Sequence, residues 1–158
     1  AFGMKVLGTR ARPEPMEHVD EVHAADDLPG LLARADFIAV STPLIPATRG
    51  LIGKDEIAAM KPGVIFADVS RGGVVDQSAL YDAMKTGHVA AAVLDVFETE
   101  PLPATSPLWA LENVIISPHC SSVFAEWEKA SFELFLLNLG RWMRSEGPVN
   151  IVDPVRGY

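Results

Sequence analysis

Short apolar runs of strand length alternate along this chain with segments of helical period. The first run covers residues 4–7, and the Pro-broken stretch Arg12-Pro13-Glu14-Pro15 follows it. A poor helix is expected over 27–34, capped by Asp27 but weakened beyond its first turn by Pro29 and Gly30. Residues 37–40 read as the next strand, and 54–60 as a helix that stops before Pro62-Gly63. A strand over 64–67 leads to a helix over 77–85, with Asp76 as N-cap and Gly87 as its stop. Strands over 90–94 and 114–116 follow, separated by a Pro-rich loop. One long helix is expected from about residue 122 to 144. Phe124, Trp127, Leu134 and Trp142 fall near one stripe of it, and Phe132, Phe135, Leu136, Leu137 and Leu139 widen that stripe. Such a helix should be buried on more than one side.

Alternating strands and helices with near-continuous apolar strands predict an α/β fold, a Rossmann-like doubly wound parallel sheet. Right-handed crossovers then place all strand carboxyl ends on one edge, where ligands of open parallel sheets gather. Three polar clusters lie just beyond three strand ends: Asp68-Val69-Ser70-Arg71-Gly72-Gly73, Asp95-Val96-Phe97-Glu98-Thr99-Glu100-Pro101, and Ser117-Pro118-His119.

Composition narrows the partners. Over 158 residues, acidic side chains outnumber basic ones by 21 to 13, which argues against nucleic acid or an anionic membrane. Cys120 is the single cysteine, so no internal disulfide is possible and a reducing, cytoplasmic setting is expected. No signal peptide or long apolar stretch occurs in the sequence.

The clusters carry specific chemistry. Arg71, between a strand end and two glycines, can grip a carboxylate through two parallel charge-assisted bonds, or it is an ordinary surface arginine in a turn. His119 can donate a proton to a carbonyl oxygen while hydride arrives at carbon, and Glu100 in the preceding strand-end loop is the candidate to orient it. His18, His23 and His88 read as structural. Asp95 either hydrogen-bonds a ligand or caps the turn after it. Cys120 reads as a filler beside His119 rather than a nucleophile. No metal site is expected.

The ordered series is what identifies a relative. Thr42-Pro43-Leu44, Thr48-Arg49-Gly50-Leu51-Ile52-Gly53, Ser70-Arg71-Gly72-Gly73-Val74-Val75-Asp76, Leu94-Asp95-Val96-Phe97-Glu98, Glu100-Pro101-Leu102-Pro103, Ser106-Pro107-Leu108-Trp109 and Ser117-Pro118-His119 together resemble the D-isomer-specific 2-hydroxyacid dehydrogenases. The resemblance runs over nearly the whole chain. It implies that Arg71 binds substrate, that His119 is the acid/base and that Glu100 orients it. It further implies that Asp95 lies near the nicotinamide carboxamide and that Thr42-Pro43 line the adenosine side. Val69, Ser70, Ser121 and Ser122 join the cofactor contacts on the same ground. Val155-Arg156-Gly157-Tyr158 and the early arginines look most like the glyoxylate/hydroxypyruvate reductase branch. A homodimer and a small 2-keto acid substrate come with the family. Asp68 stands where the family often has Asn, and Ser121 where it often has Ala or Gly.

Cofactor choice has a physical reading. An acid after the second strand of such a fold binds the ribose diol of NAD, whereas arginine accommodates the 2′-phosphate of NADP. Here Gly8-Thr9-Arg10-Ala11-Arg12 offers the Thr9 hydroxyl with Arg10 and Arg12, and no acid before Glu14. NADP is therefore preferred, with NAD as the alternative.

No G-x-G-x-x-G occurs in the sequence, so the expected sheet is incomplete, its central first strand and glycine-rich loop absent. Residues 1–145 are expected to be the distal part of a dinucleotide-binding domain, and 146–158 a segment returning toward a substrate domain. Without the central strand, the strands over 4–7 and 37–40 have nothing to join them. This polypeptide alone is then expected to form neither a stable sheet nor an active enzyme. The rival readings are an NAD-linked phosphoglycerate or D-lactate dehydrogenase, a nucleotide-sensing corepressor-like binding protein of the same fold, and an inactive fragment.

Overall fold

In the computed structural model, which describes residues 3–154, every strand pairs in parallel. Strand β1 (Leu7–Thr9) pairs with β2 (Glu21–His23), with Leu7 opposite Glu21. A turn of 3-10 helix, Ala25–Asp27, leads into α1 (Leu28–Leu32). Then come β3 (Phe37–Val40), α2 (Lys54–Ala59), β4 (Val64–Asp68), α3 (Gln77–Thr86), β5 (Val89–Leu94), β6 (Val114–Ile116) and α4 (Trp127–Met143). The second sheet has the order β3-β4-β5-β6. The fold is α/β and Rossmann-like, and no ladder joins β1 to β3 among the described residues. Two compact units result, Ala1–Pro118 and His119–Tyr158.

Alternation along the strands decides where the core sits. Ile38, Val40, Val64, Phe66, Ala92 and Leu94 point to one face, where they are buried with Ile57 of α2 and Leu80, Ala83 and Met84 of α3. Those α3 residues follow the i, i+3, i+4 spacing of a single helix face. Phe66 at the middle of β4 is fully buried. The opposite face presents Phe37, Ile65, Val93 and Ile115, all exposed, with Phe37 at 62% and Ile115 at 66%.

Several expected boundaries move. The first strand lies at Leu7–Thr9 rather than 4–7, because pairing with β2 defines it. Just before it, Val6 is held by a side chain, its amide donating to Asp20 Oδ2 at 2.7 Å. Strand β2 was not expected at all. It has one apolar residue, Val22, and is secured by Glu21, which receives Arg34 Nη2 at 2.9 Å, Lys5 Nζ and His23 Nε2. These bonds, Arg34's foremost, hold the Glu21 carboxyl well below the ordinary carboxylate range. Asp27 precedes α1, but its side chain makes no capping bond and the helix ends at Leu32.

The long last helix begins at Trp127, not near 122. Tight turns close instead, with Val123 N–H donating to Cys120 O and Trp127 N–H to Phe124 O. Nor is α4 buried on more than one side, since none of its residues is buried. Asn138 exchanges bonds with the backbone of Val149 at 2.8 and 3.2 Å, and Arg141 Nε donates to Gly147 O at 2.6 Å. Of the predicted features, Val155-Arg156-Gly157-Tyr158 lies outside the described residues.

Helix α3, which buries β4 and β5, starts and stops as its sequence dictates. Asp76 accepts Ala79 N–H at 2.9 Å, and Gly87 ends the helix at φ +79°. Replacing Asp76 with Ala should therefore cost about 1 kcal/mol of stability, measured as a lower urea midpoint with an unchanged slope.

Candidate active site

The parallel register of β4 and β5 puts Asp68 opposite Leu94, and the next amide, Asp95 N–H, donates to the Asp68 carbonyl at 3.0 Å. Both aspartates are buried, at 5% and 1% exposure. Asp95 Oδ1 accepts the Ser117 hydroxyl at 2.5 Å, which ties the end of β6 to the end of β5. Asp68 Oδ1 accepts two bonds from Ser70, the amide at 2.9 Å and the hydroxyl at 2.5 Å. Burial pushes the Asp68 carboxyl above its ordinary value, and the Ser70 bonds offset part of that.

Arg71 follows directly. Its side chain reaches an exposed position, and Nη1 donates to the Ser70 carbonyl at 2.7 Å. A Cβ on Gly72 would lie 1.9 Å from the Phe97 carbonyl oxygen, so only glycine lets the two backbones touch. Gly73 adopts φ +93°, which again favours glycine.

Phe97 also faces the other way. Its amide donates to Glu100 Oε1 at 2.9 Å. Beside it, Gln77 and Glu98 exchange backbone-to-side-chain bonds at 3.3 and 3.2 Å. Arg71 and Glu100 thus sit on two loops locked through one residue's backbone.

The remaining predicted residues fall at other strand ends. Thr42 and Pro43 follow β3, and Val69 N–H donates to Val40 O at 3.0 Å. Thr48 Oγ1 donates to Pro43 O at 2.6 Å and receives Ile45 N–H at 2.9 Å. Gly50 N–H reaches Gly73 O at 2.8 Å, so this loop is tied to the Arg71 turn. Thr9 ends β1, with exposed Arg10 and Arg12 beyond it. His119, Ser121 and Ser122 belong to the second unit, where His119 holds the left-handed φ of +53° that few non-glycine residues adopt. His88 Nε2 bonds Ile57 O and His23 bonds Glu21, the structural roles expected of them. Among the described residues no three metal-ligating side chains cluster.

Thr48 and Gln77 are the supports that the sequence reading missed. A threonine three residues after Ile45, in the run Ile45-Pro46-Ala47-Thr48, is a side-chain-to-backbone turn signal that reveals the first. Gln77 carries no local signal, because its partner is 21 residues away.

Gly72→Ala should destabilise the protein by about 3 kcal/mol through overpacking against Phe97. Chemical denaturation measures the loss, and a variant as stable as the parent would show that the two loops separate easily.

Known proteins resemble this chain over most of its length. The family model for the D-isomer specific 2-hydroxyacid dehydrogenase, NAD binding domain, matches residues 1–121. A D-3-phosphoglycerate dehydrogenase of Methanocaldococcus jannaschii is 40% identical over 97% of this chain and 29% of its own length. A glyoxylate reductase of Korarchaeum cryptofilum is 43% identical over 96% of this chain and 46% of its own. The chain thus spans less than half the length of these two relatives. A D-isomer specific 2-hydroxyacid dehydrogenase from Xanthobacter autotrophicus Py2, solved with NADPH and MES, superposes with a TM-score of 0.91. It is 41% identical, over 99% of this chain and 64% of that one. The family model covers most of the chain, and the chain belongs to the D-isomer specific 2-hydroxyacid dehydrogenase family.

Proposed function

We propose that this chain is the cofactor-binding part, over residues 1–145, of an NADPH-linked reductase of a small 2-keto acid, glyoxylate or hydroxypyruvate. Residues 146–158 would lead toward the substrate domain. The observation that carries the reading is the Arg71 turn. A guanidinium is anchored by one nitrogen to Ser70 O, on a glycine turn that packs against a carboxylate-bearing loop. Its other donors suit a substrate carboxylate. By position in the family's pattern, His119 supplies the proton to the forming alkoxide, and Glu100 orients it.

The donor set fits a 2′-phosphorylated nucleotide. Thr9 ends β1, Arg10 and Arg12 are exposed just after it, and no acid intervenes before Glu14. Thr42, Pro43, Val69, Ser70, Asp95, Ser121 and Ser122 would hold the rest of the cofactor. When bound, that cofactor supplies the hydride. NADPH in the Xanthobacter relative supports the choice. We also propose a homodimer in a reducing, cytoplasmic setting. No helix among the described residues is long and apolar enough to cross a membrane.

A second reading is favoured by one observation, the 40% identity to a phosphoglycerate dehydrogenase. It predicts oxidation of 3-phosphoglycerate with NAD in place of keto-acid reduction with NADPH.

Steady-state assays of the full-length protein separate the two. Glyoxylate or hydroxypyruvate should be reduced with a higher kcat/KM for NADPH than for NADH, and a preference for NAD with 3-phosphoglycerate would select the second reading. His119→Ala should lower kcat by about 100-fold or more. Arg71→Lys should mainly raise KM for the keto acid, because an ammonium cannot form the paired bonds.

A further inference from the structure

We propose that Asp68 is a positioning residue for the Arg71 guanidinium, and that loss of its charge weakens binding of the substrate carboxylate as the solution is acidified. The proposal rests on the functional reading above for the identity of the anion, but its geometry is independent. A single oxygen, Asp68 Oδ1, accepts both the amide and the hydroxyl of Ser70, at 2.9 and 2.5 Å. The carbonyl of the same Ser70 accepts Arg71 Nη1 at 2.7 Å. Ser70 is itself only 2% exposed. The guanidinium is thus held through one residue by a buried carboxylate.

An asparagine offers the same oxygen without the charge. Bonds to an ionised acceptor are roughly twice as strong as neutral ones, so the carboxylate holds the Ser70 turn more firmly than an amide or a protonated acid would. Protonation leaves a weaker acceptor, and the carbonyl that anchors Arg71 gains freedom. Because Asp68 is buried, this transition falls above the ordinary aspartate range.

A competing effect has the opposite sign. A buried anion near Arg71 repels the substrate carboxylate, and neutralising it would strengthen binding. Other charged groups surround the turn and must be separated from Asp68. Asp95 donates its amide to the Asp68 carbonyl. Glu98 borders, with Asp68, Gly72, Gln77 and Phe97, a cavity of about 10 Å³. Arg49 lies against Gly73. Asp76 caps α3, and the facing α3 residues Gln77 and Leu80 are uncharged. The adjoining end of β3, Val40-Ser41-Thr42, carries no charge.

The test follows KM and kcat for glyoxylate against pH in the full-length protein at saturating NADPH. The Ser70 amide and Arg71 Nε–H resonances of ¹⁵N-labelled protein are followed alongside. Acidification should raise KM about three- to tenfold, while kcat changes by less than about twofold over the same transition. Both resonances should move with that same midpoint. Asp68→Asn should show the raised KM at every pH and lose the transition, which separates Asp68 from Asp95, Glu98 and His119. Ser70→Ala, which removes the hydroxyl bond to the carboxylate and the long 3.5 Å contact to Arg71 O but keeps the Ser70 amide and carbonyl, should move the midpoint to higher pH, and this variant serves if Asp68→Asn does not fold.

A KM that is flat or falls on acidification overturns the proposal, as does a Ser70 transition that Arg71 does not follow. If the protein turns over no 2-keto acid, the functional reading fails, and the two resonances alone decide whether Asp68 positions Arg71.

Discussion

Strand β4 is hydrogen-bonded on both sides, to β3 and to β5, and the polar loops at the carboxyl ends of the four-stranded sheet depend on that double register. A shift of one residue along a strand would turn each side chain to the other face of the sheet. Phe66 would leave the core, and Asp68 would no longer meet the amide of Asp95. Burial of the β4 side chains against α2 and α3 makes such slippage costly. The apolar half of the strand therefore determines the geometry of its polar end.

At that end, backbone contacts do work that side chains usually do. The carbonyl of Phe97 leaves no room for a side chain on Gly72, and its amide takes up the Glu100 carboxylate. Two loops from different strands are joined by a single peptide segment buried at Phe97. Long side chains such as Arg71 lose rotamer freedom when they bind. Fixing one nitrogen of the guanidinium beforehand reduces that loss, the general benefit of preorganisation.

The sheet core was legible because its signals are local. The runs that became β3 to β6 are short, apolar and punctuated by Pro and Gly, and Asp76 and Gly87 mark the ends of α3 by chemistry that acts within a turn. Strand β2 was not legible. Glu21-Val22-His23 has little apolar content, and its support comes from Arg34 and Lys5, which lie far from it in sequence. The width of the apolar stripe on α4 was readable, but burial needs a second surface, and periodicity contains no information about one. The three strand-end clusters were visible as residue types. Which atom holds which was not, since the Asp68–Ser70–Arg71 linkage depends on the turn that Gly72 permits.

The bare face of the four-stranded sheet, with Phe37, Ile65, Val93 and Ile115 open to water, bears on colloidal behaviour. Copies of a chain carrying a net charge of −8 repel one another at low ionic strength. The screening length shrinks to about 3 Å in 1 M salt, which removes that repulsion while apolar attraction persists. For this molecule dissolved salt would then act on solubility through surface charge, leaving attraction between exposed apolar side chains such as Phe37 and Ile115 unopposed.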